Sequence, residues 1–206
     1  MDVDVTSRLA TPVFDPAPAS FDGRDAFAGL EVSGLARGLV AVDALVKKAA
    51  SRVVLARPVS PGKFLILLDG SVAEVEESMA EAQAIAADLL VDRFMLPFAH
   101  AQLEPAAFGR YPPRVDASLG IVETATASSG LRSADAALKA AGVSMAVLHL
   151  SVGIGGKCFY AFAGDLYDVE ASVAAASAAL GGTHLLGTEV IANPHKDFLD
   201  AVGFSL

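Results

Sequence analysis

The chain has 206 residues, a net charge of −9 and a hydrophobic fraction of 53%, much of it alanine. Alanine aside, its longest apolar run (64–68) is far shorter than the about 20 residues of a membrane-spanning helix, and the negative charge argues against a nucleic-acid-binding surface. Cys158 is the only cysteine and the segment MDVDVTSRL lacks the apolar core of a secretory signal, so we expect a cytoplasmic protein without disulfides or a membrane anchor.

The first 26 residues contain Pro12, Pro16 and Pro18 among alanine, serine and aspartate, and they show no hydrophobic period. This composition predicts a flexible N-terminal extension, with a docking arm as the alternative. Periodic apolar patterns, which indicate folded structure, begin only after this segment.

The chain then contains the same unit twice: residues 28–103 recur, with their elements in the same order, as residues 120–198. The offset between the copies is 92 residues at first, then 94, and finally 95. Such a duplication indicates two similar domains and a function located where similar halves meet. The offsets are defined by the pairs Glu31 with Glu123, Gly38 with Gly130, Lys47 with Lys139, Lys63 with Lys157, and His100 with His195.

Each unit predicts the order strand, helix, strand, strand, helix, strand. Two helices on one face of an antiparallel sheet form a ferredoxin-like α/β unit of the α+β kind. The predicted strands after the first helix of each unit are 52–59, 63–68 and 89–96, and then 143–152, 157–162 and 184–191.

The first helix of each unit carries an apolar stripe with helical spacing. The matching stripes are Leu35, Leu39, Val42, Val46 and Ala49 in the first copy and Ala127, Leu131, Ala134, Leu138 and Ala141 in the second.

We divide the chain into an extension (1–26), a first domain (27–103), a proline-bearing linker (104–117) and a second domain (118–206).

The sequence contains no pattern typical of an enzyme active site. The four histidines are scattered without the spacing of metal ligands, and a lone cysteine forms no thiolate cluster. The two Gly-Lys pairs lack both the preceding glycine and the following Ser or Thr of a phosphate-binding loop. We therefore predict neither catalytic residues nor a metal site.

A hairpin loop rich in glycine or proline joins the second and third strands of each unit. Glycine permits positive φ and a close approach of backbones around an axis, although an ordinary turn would use the same residues. The candidate loop residues are Val59, Ser60, Pro61 and Gly62 in the first copy and Gly153, Ile154, Gly155 and Gly156 in the second.

Several of these stretches resemble the tandem-domain shell proteins of bacterial microcompartments. The resemblance covers residues 28–200 or so, twice over, and both units begin with the strand–helix pair, as in the unpermuted propanediol-utilisation type. The matching stretches are 43–47 and 60–65 in the first copy and 119–124, 134–139, 152–157 and 163–166 in the second.

The resemblance implies a homotrimer whose six domains form a pseudohexagonal tile with a central pore for metabolites. It further implies edge-to-edge packing with other hexameric, pentameric and trimeric shell proteins around encapsulated enzymes. The hairpin loops would line the pore, where backbone N–H groups favour anions. The implied protein is thus a structural component of a microcompartment shell in the cytoplasm and not an enzyme.

The resemblance also implies roles for single residues. Lys47 and Lys139 occupy the edge-lysine position, with an intrahelical ion pair as the alternative role. Asn193 and His195 lie in the family's edge motif Pro-Arg-Pro-His, whose arginine is missing from both copies. Some propanediol-type members bind an iron–sulfur cluster through a cysteine at the position of Ser60. Because a hydroxyl is a poor iron ligand, we expect a pore without a cofactor.

A trimeric small-molecule regulator of the nitrogen-regulatory type is the alternative, because it also builds threefold rings from ferredoxin-like units. It would require a basic phosphate pocket, and the 15 lysines and arginines show no such cluster. A redox carrier would depend on a cluster cysteine that the sequence lacks. Cys158 follows the second loop on a predicted strand, where we expect it to be a small buried residue.

Overall fold

The computed structural model describes residues 25–111 and 118–202. Nearly all of the predicted N-terminal extension and the second part of the predicted linker lie outside these residues. Within them the chain forms two copies of one α/β fold, each with a four-stranded antiparallel sheet, as the repeat predicts.

The first domain contains two helices and four strands. Its helices begin differently. The first follows Gly34 and has no side-chain cap, whereas the second follows Ser71, which forms a capping box with Glu74. In chain order the elements are β1 (Ala26–Val32), α1 (Leu35–Lys48), β2 (Arg52–Val59), β3 (Lys63–Gly70), α2 (Val72–Ala86), a 3₁₀ turn (Ala87–Leu89) and β4 (Leu90–Pro97).

The second domain repeats this order and adds a C-terminal helix. Its first helix begins after Thr126, whose hydroxyl oxygen accepts the N–H of Ser129 at 3.0 Å. Its second helix ends at Gly181 in the left-handed conformation (φ 57°). After the linker helix α3 (Leu103–Ala107), the elements are β5 (Ser118–Thr124), α4 (Ala127–Ala140), β6 (Ser144–Leu150), β7 (Cys158–Gly164), α5 (Leu166–Leu180), β8 (Leu185–Ile191) and α6 (Lys196–Val202).

The strands are ordered β2-β3-β1-β4 in the first sheet and β6-β7-β5-β8 in the second, with antiparallel pairing throughout. The sequence predicted the ends of the six strands after the first helices to within two residues. Alternate residues of β1 and β3 pack in one core with the buried residues of α1 and α2, so both helices cover the same face of the sheet. The edge strands are therefore β2 and β4 in the first sheet and β6 and β8 in the second.

The predicted linker is more ordered than its prolines indicate, because it begins with α3. Leu103 is fully buried in the core. The hydroxyl of Tyr111 donates to the carbonyl of Leu148 (3.2 Å) and accepts the N–H of the same residue (3.0 Å). The described part of the linker therefore covers one edge of the second sheet.

Each first helix approaches its sheet through a glycine. A Cβ atom at Gly38 would lie 2.5 Å from the side chain of Phe64, and one at Gly130 would lie 2.3 Å from Sγ of Cys158. Such short contacts exclude a side chain at either position. The repeat had already paired these two glycines, and close helix–sheet packing explains why both copies contain one.

Candidate functional site

The two hairpin loops lie side by side in the structure. Ser60 donates its N–H to the carbonyl of Ser151 (3.2 Å), and its hydroxyl oxygen accepts the N–H of Gly153 (3.0 Å). The carbonyl of Gly156 accepts a hydrogen bond from Nζ of Lys63 (3.2 Å). Residues 93 positions apart thus form one loop cluster within a single chain.

Backbone geometry explains the glycines of this cluster. Gly153, Gly155 and Gly156 have φ values of 74°, 68° and 84°, in the left-handed region that glycine adopts without steric cost. Gly156 is also tightly packed, since a Cβ there would lie 2.7 Å from the carbonyl oxygen of Ser60. Gly62 has a matching φ of 85°, yet a Cβ there would meet nothing within 4 Å among the described residues. The second loop is therefore covered by the first, whereas the first is open on its other side.

The remaining candidate loop residues differ in exposure. Pro61 is exposed, and Ser60 and Ile154 are half-buried. Val59 is the last residue of β2 and is only 5% exposed. The alternation of the strand turns its side chain into the core and away from the surface of the loop cluster.

A buried ion pair joins the first loop to the second domain. The carboxylate of Glu31, at the end of β1, is fully buried and accepts Nζ of Lys63 and the N–H of Ser128 (2.8 Å). Ser128 lies in the first turn of α4, where N–H groups lack intrahelical acceptors and favour a negative charge. Buried charges require such partners, so this network holds the two domains together.

The domains pack mainly through α4, which lies against β4 and β1 of the first domain. We call this contact the internal junction. Thr126 donates its hydroxyl to the carboxylate of Asp92, and Nη1 of Arg132 donates to the carbonyl of Arg93 (3.3 Å). Ten residues of α4 are buried, compared with three of the matching helix α1. The difference arises because α4 has a neighbouring domain on its outer side.

The matching surfaces elsewhere in the chain are exposed. Four of the five counterparts of the α1 stripe are at most 3% exposed: Ala127, Leu131, Ala134 and Leu138. We call the exposed large apolar residues of α1 the α1 face and those of β8 the β8 edge. Leu35, Leu39 and Val46 lie on one side of α1, and Val40 lies farther round the helix. Exposure of large apolar side chains on one side of a helix is typical of an interaction surface. The exposed residues are Leu35, Leu39, Val40 and Val46 on the α1 face and Leu186 and Val190 on the β8 edge, each between 36% and 51% exposed.

The lysines predicted at a tile edge form intrahelical ion pairs, which was the alternative role. Nζ of Lys47 lies 2.6 Å from the carboxylate of Asp43, and Nζ of Lys139 lies 2.7 Å from that of Asp135. The lysine side chains remain 72% and 41% exposed. The carboxylate of Asp135 is 7% exposed and also accepts the N–H of His100 (2.7 Å). Both ammonium groups are therefore accessible to a neighbouring molecule.

The residues of the predicted edge motif lie directly after β4 and β8. Phe98 and Asn193 take the missing arginine's place, and both adopt left-handed φ values of 52° and 48°. Asparagine tolerates this conformation better than phenylalanine. The side chain of His195 is 78% exposed. Its counterpart His100 is partly buried, and burial lowers the pKa of His100 although Asp135 raises it.

Cys158 is fully buried at the start of β7, as the sequence predicts. Burial raises the pKa of its thiol well above the ordinary value. Gly130 packs directly over the sulfur, so the thiol is enclosed by α4. It is not part of the surface of the loop cluster.

Residues 25–111 and 118–202 include no helix that combines the length and apolarity needed to cross a bilayer. The same residues bring no three His, Cys, Asp or Glu side chains together in a position to bind a metal.

The sequence carries a signal for the buried ion pair that the loop prediction did not use. Both copies place a glutamate near the end of the first strand and a lysine at the close of the hairpin: Glu31 with Lys63, and Glu123 with Lys157. Opposite charges that recur at the ends of neighbouring strands indicate a pair in both domains. The first pair is buried because the second domain covers it, and a local sequence pattern cannot predict how the two domains pack.

The BMC domain model matches the chain twice, at residues 26–99 and 118–194. The bacterial microcompartment shell protein PduT of Citrobacter freundii is 38% identical over 168 residues, which are 81% of this chain and 91% of PduT. The crystal structure of a microcompartments protein from Desulfitobacterium hafniense DCB is similar with a TM-score of 0.77 and 36% identity. That similarity covers 85% of this chain and 98% of the other.

A fused permuted hexameric shell protein of the RMM microcompartment shares the fold, with a TM-score of 0.57 and 20% identity over 75% of this chain and 80% of the other. The trimeric regulator that was the alternative gains no support from these comparisons. Two domain matches and the similarity to PduT agree with the resemblance found in the sequence. The chain belongs to the BMC-domain family and is a structural shell protein of a bacterial microcompartment, with two BMC domains in tandem.

Proposed function

We propose that three copies of this chain close into a pseudohexagonal ring, which serves as one tile of the shell. The observation that carries the proposal is the exposed α1 face, whose counterpart on α4 is buried at the internal junction. Each chain contains one complete junction and two unpaired halves, the α1 face and the β8 edge. Because β8 matches β4, the α1 face of one copy fits the β8 edge of the next.

A contact between two different surfaces builds a ring when its rotation closes and a filament when it does not. The two domains share strand order and pairing. A junction between copies that repeats the internal junction would therefore relate all domains by nearly the same rotation. Closure with six domains requires three chains, which is the homotrimer that the resemblance implied.

The loop cluster would surround the axis of this ring, with three copies of each loop. Gly153, Gly155 and Gly156 present backbone and no side chain, and N–H groups at such loops favour anionic metabolites. Passage would depend on the width of the opening and its lining dipoles. We therefore propose a structural and selective role without covalent chemistry.

We propose that the opening holds no iron–sulfur cluster. Ser60 presents a hydroxyl at the position of the cluster cysteine, and this hydroxyl already accepts the N–H of Gly153. The substitution Ser60→Cys tests whether three such side chains converge. Reconstitution with iron and sulfide should give a brown protein from the variant, with the wild type and its buried Cys158 as the control. A colourless variant, under conditions that load a known cluster protein, would contradict convergence.

Tiles would meet other tiles through Lys47 and Lys139, whose ammonium groups are exposed, together with Asn193 and His195. The partners at these edges would be hexameric, pentameric and trimeric shell proteins. Encapsulated enzymes would contact one face of the resulting sheet. These contacts are compatible with ring closure, because Lys139, the counterpart of Lys47 at the internal junction, keeps 41% of its side chain exposed.

The substitution Leu39→Asp tests ring closure. Leu39 is 48% exposed in the chain, so an aspartate there should leave the fold intact but place a charge in the junction between copies. By light scattering, the wild type should have three times the chain mass of 21.0 kDa and the variant the mass of one chain. Tyr167→Asp, at an 83% exposed position on α5, is the control and should remain a trimer. A monomeric wild type would refute the proposal.

A further inference from the structure

The internal junction shows how a glutamate–lysine pair grips the neighbouring domain. Glu31 accepts the N–H of Ser128, at the start of α4, and Lys63 donates to the carbonyl of Gly156, in the second loop. The pair is buried, with Glu31 fully and Lys63 nearly inaccessible. Each charge thus bonds to the other and also to the backbone of the next domain.

The second domain contains the same pair without these backbone contacts. Nζ of Lys157 lies 2.9 Å from the carboxylate of Glu123. The side chains are 49% and 41% exposed, and within the described residues the pair forms no hydrogen bond to the first domain. An arrangement that is buried in one copy is therefore half-exposed in the other.

The repeat identifies the missing backbone partners. At an offset of 92, Ser128 corresponds to Ala36, and at an offset of 94, Gly156 corresponds to Gly62. Ala36 is exposed in the first turn of α1, where N–H groups have no intrahelical acceptor, and Gly34 supplies no side-chain cap. The Glu123–Lys157 pair, the uncapped start of α1 and the loop at Gly62 therefore each lack the contact that their counterparts make at the internal junction.

Gly62 gives the most specific evidence. Its left-handed φ of 85° is close to the 84° of Gly156, and each glycine directly precedes the lysine of its pair. A Cβ at Gly156 would lie 2.7–3.1 Å from Ser60, Pro61 and Lys63, whereas a Cβ at Gly62 would meet nothing within 4 Å among the described residues. The space beside Gly62 is where a second copy's loop would lie.

We propose that the Glu123–Lys157 pair is the polar contact that closes each junction between copies. Glu123 accepts the N–H of Ala36 of the partner subunit, and Lys157 donates to the carbonyl of Gly62 of the partner subunit. The inference rests on the proposed trimer and names the residues that close it. It also ties the second loop of one chain to the first loop of the next, so the pair fixes the rim of the opening.

Two matched substitutions test this contact. Glu123→Gln and Lys157→Met remove one charge each from a half-exposed site, so the fold of the single chain should persist. Sedimentation at a series of concentrations should show trimers that dissociate at concentrations roughly tenfold or more above the wild type. The reason is that Lys157→Met loses a hydrogen-bond donor, and Glu123→Gln keeps an acceptor oxygen without its charge. Glu76→Gln, on the exposed side of α2, removes the same charge and should have no effect.

The outcomes separate this inference from the proposed function. A wild type that is monomeric overturns both. A trimeric wild type whose Glu123→Gln and Lys157→Met variants dissociate at the wild-type concentration overturns only the role of this pair.

A second measurement remains valid if a charge variant folds poorly. The double variant Gly34→Cys with Gly187→Cys keeps Glu123 and Lys157 and places thiols at the positions that match the hydrogen-bonded Thr126 and Asp92. It should form covalent trimers with a short thiol cross-linker, while each single variant should not. Cys158 is buried and does not compete for the reagent. Failure of the double variant to cross-link in a trimeric preparation would overturn the proposed proximity.

Discussion

At the scale of single residues, Gly156 leaves no room for a side chain between the two loops. Its φ of 84° disfavours any side chain, and a Cβ there would lie 2.7 Å from the carbonyl oxygen of Ser60 and 2.8 Å from Cδ of Pro61. Gly153 shares the left-handed φ (74°) but has open space around it. A side chain at Gly153 would therefore cause only backbone strain, whereas a side chain at Gly156 would cause backbone strain and a steric clash.

We expect Gly156→Ala to destabilise the chain more than Gly153→Ala does. Both substitutions introduce left-handed strain of about 1–3 kcal/mol, and only the first adds an overpacking cost of about 1–3 kcal/mol. Urea unfolding of the two variants beside the wild type measures the difference. Equal losses of unfolding free energy would show that the loops do not touch at Gly156.

Cys158 reports on the integrity of the second domain. Burial raises the pKa of its thiol, so the folded chain keeps the proton at pH values where the unfolded chain, with an ordinary value of 9.0, loses it. Above that pH the unfolded state binds fewer protons, so this contribution to stability is present below about pH 9 and decreases as the pH rises further.

A thiol-reactive dye should therefore label Cys158 only as the chain unfolds, since reaction requires an accessible thiolate. We expect the labelling rate to rise with urea in parallel with the loss of helical circular dichroism. Rapid labelling of the native protein in buffer would contradict the enclosure of the sulfur by α4.

At the scale of secondary-structure elements, the first helices show which parts of the fold the sequence predicts. The order of elements and the antiparallel sheets follow from local periodicity, and β2 has the predicted bounds Arg52–Val59. The predicted stripe on α1 is real as a pattern, yet α1 packs on its own sheet through Gly38, Ala41 and Leu45. The apolar stripe is buried on α4, whereas most of the matching stripe on α1 is exposed.

The reason lies in what covers each helix. An apolar stripe states that a face prefers burial, but it does not say whether the cover comes from the same domain, the same chain or another copy. On α4 the cover is the first domain, so Leu131 is fully buried, whereas its counterpart Leu39 is 48% exposed. The adjacency of the two loops was likewise predictable only from the resemblance, since it depends on how the domains pack.

These two leucines provide a matched prediction. Leu131→Ala should lower the unfolding free energy by about 2–5 kcal/mol at every protein concentration, because it creates a cavity inside the chain. Leu39→Ala should lower the melting temperature only at concentrations where the trimer is populated, since stabilisation by association follows mass action. Melting curves over a dilution series distinguish the two variants. If the melting temperature of Leu39→Ala stays below that of the wild type on dilution, Leu39 does not act through the contact between copies.

At the scale of the whole molecule, duplication would give the proposed ring two kinds of junction. At the internal junction Thr126 is hydrogen-bonded to Asp92. The matching positions at the proposed junction between copies are Gly34 and Gly187, which have no side chains to form this bond. We therefore expect the proposed junction between copies to depend more on the apolar α1 face. A ring of six identical domains would have one kind of junction and could not make this distinction.

The edge lysines should affect the assembly of tiles without affecting the ring. The double variant Lys47→Ala with Lys139→Ala removes exposed ammonium groups whose intrahelical pairs contribute only about 0.3–0.5 kcal/mol each. We expect its trimer mass and melting temperature to be close to those of the wild type, with fewer sheets or tubes in electron micrographs. Unchanged sheets would remove the edge role from both lysines.

The most direct measurement is a single-particle electron microscopy structure of the purified chain in solution. We expect a threefold ring in which the α1 face of each copy packs on the β8 edge of the next, with Glu123 and Lys157 buried at that contact. A monomer, or an assembly in which Leu35, Leu39, Val40 and Val46 remain exposed to solvent, would contradict ring closure by repetition of the internal junction.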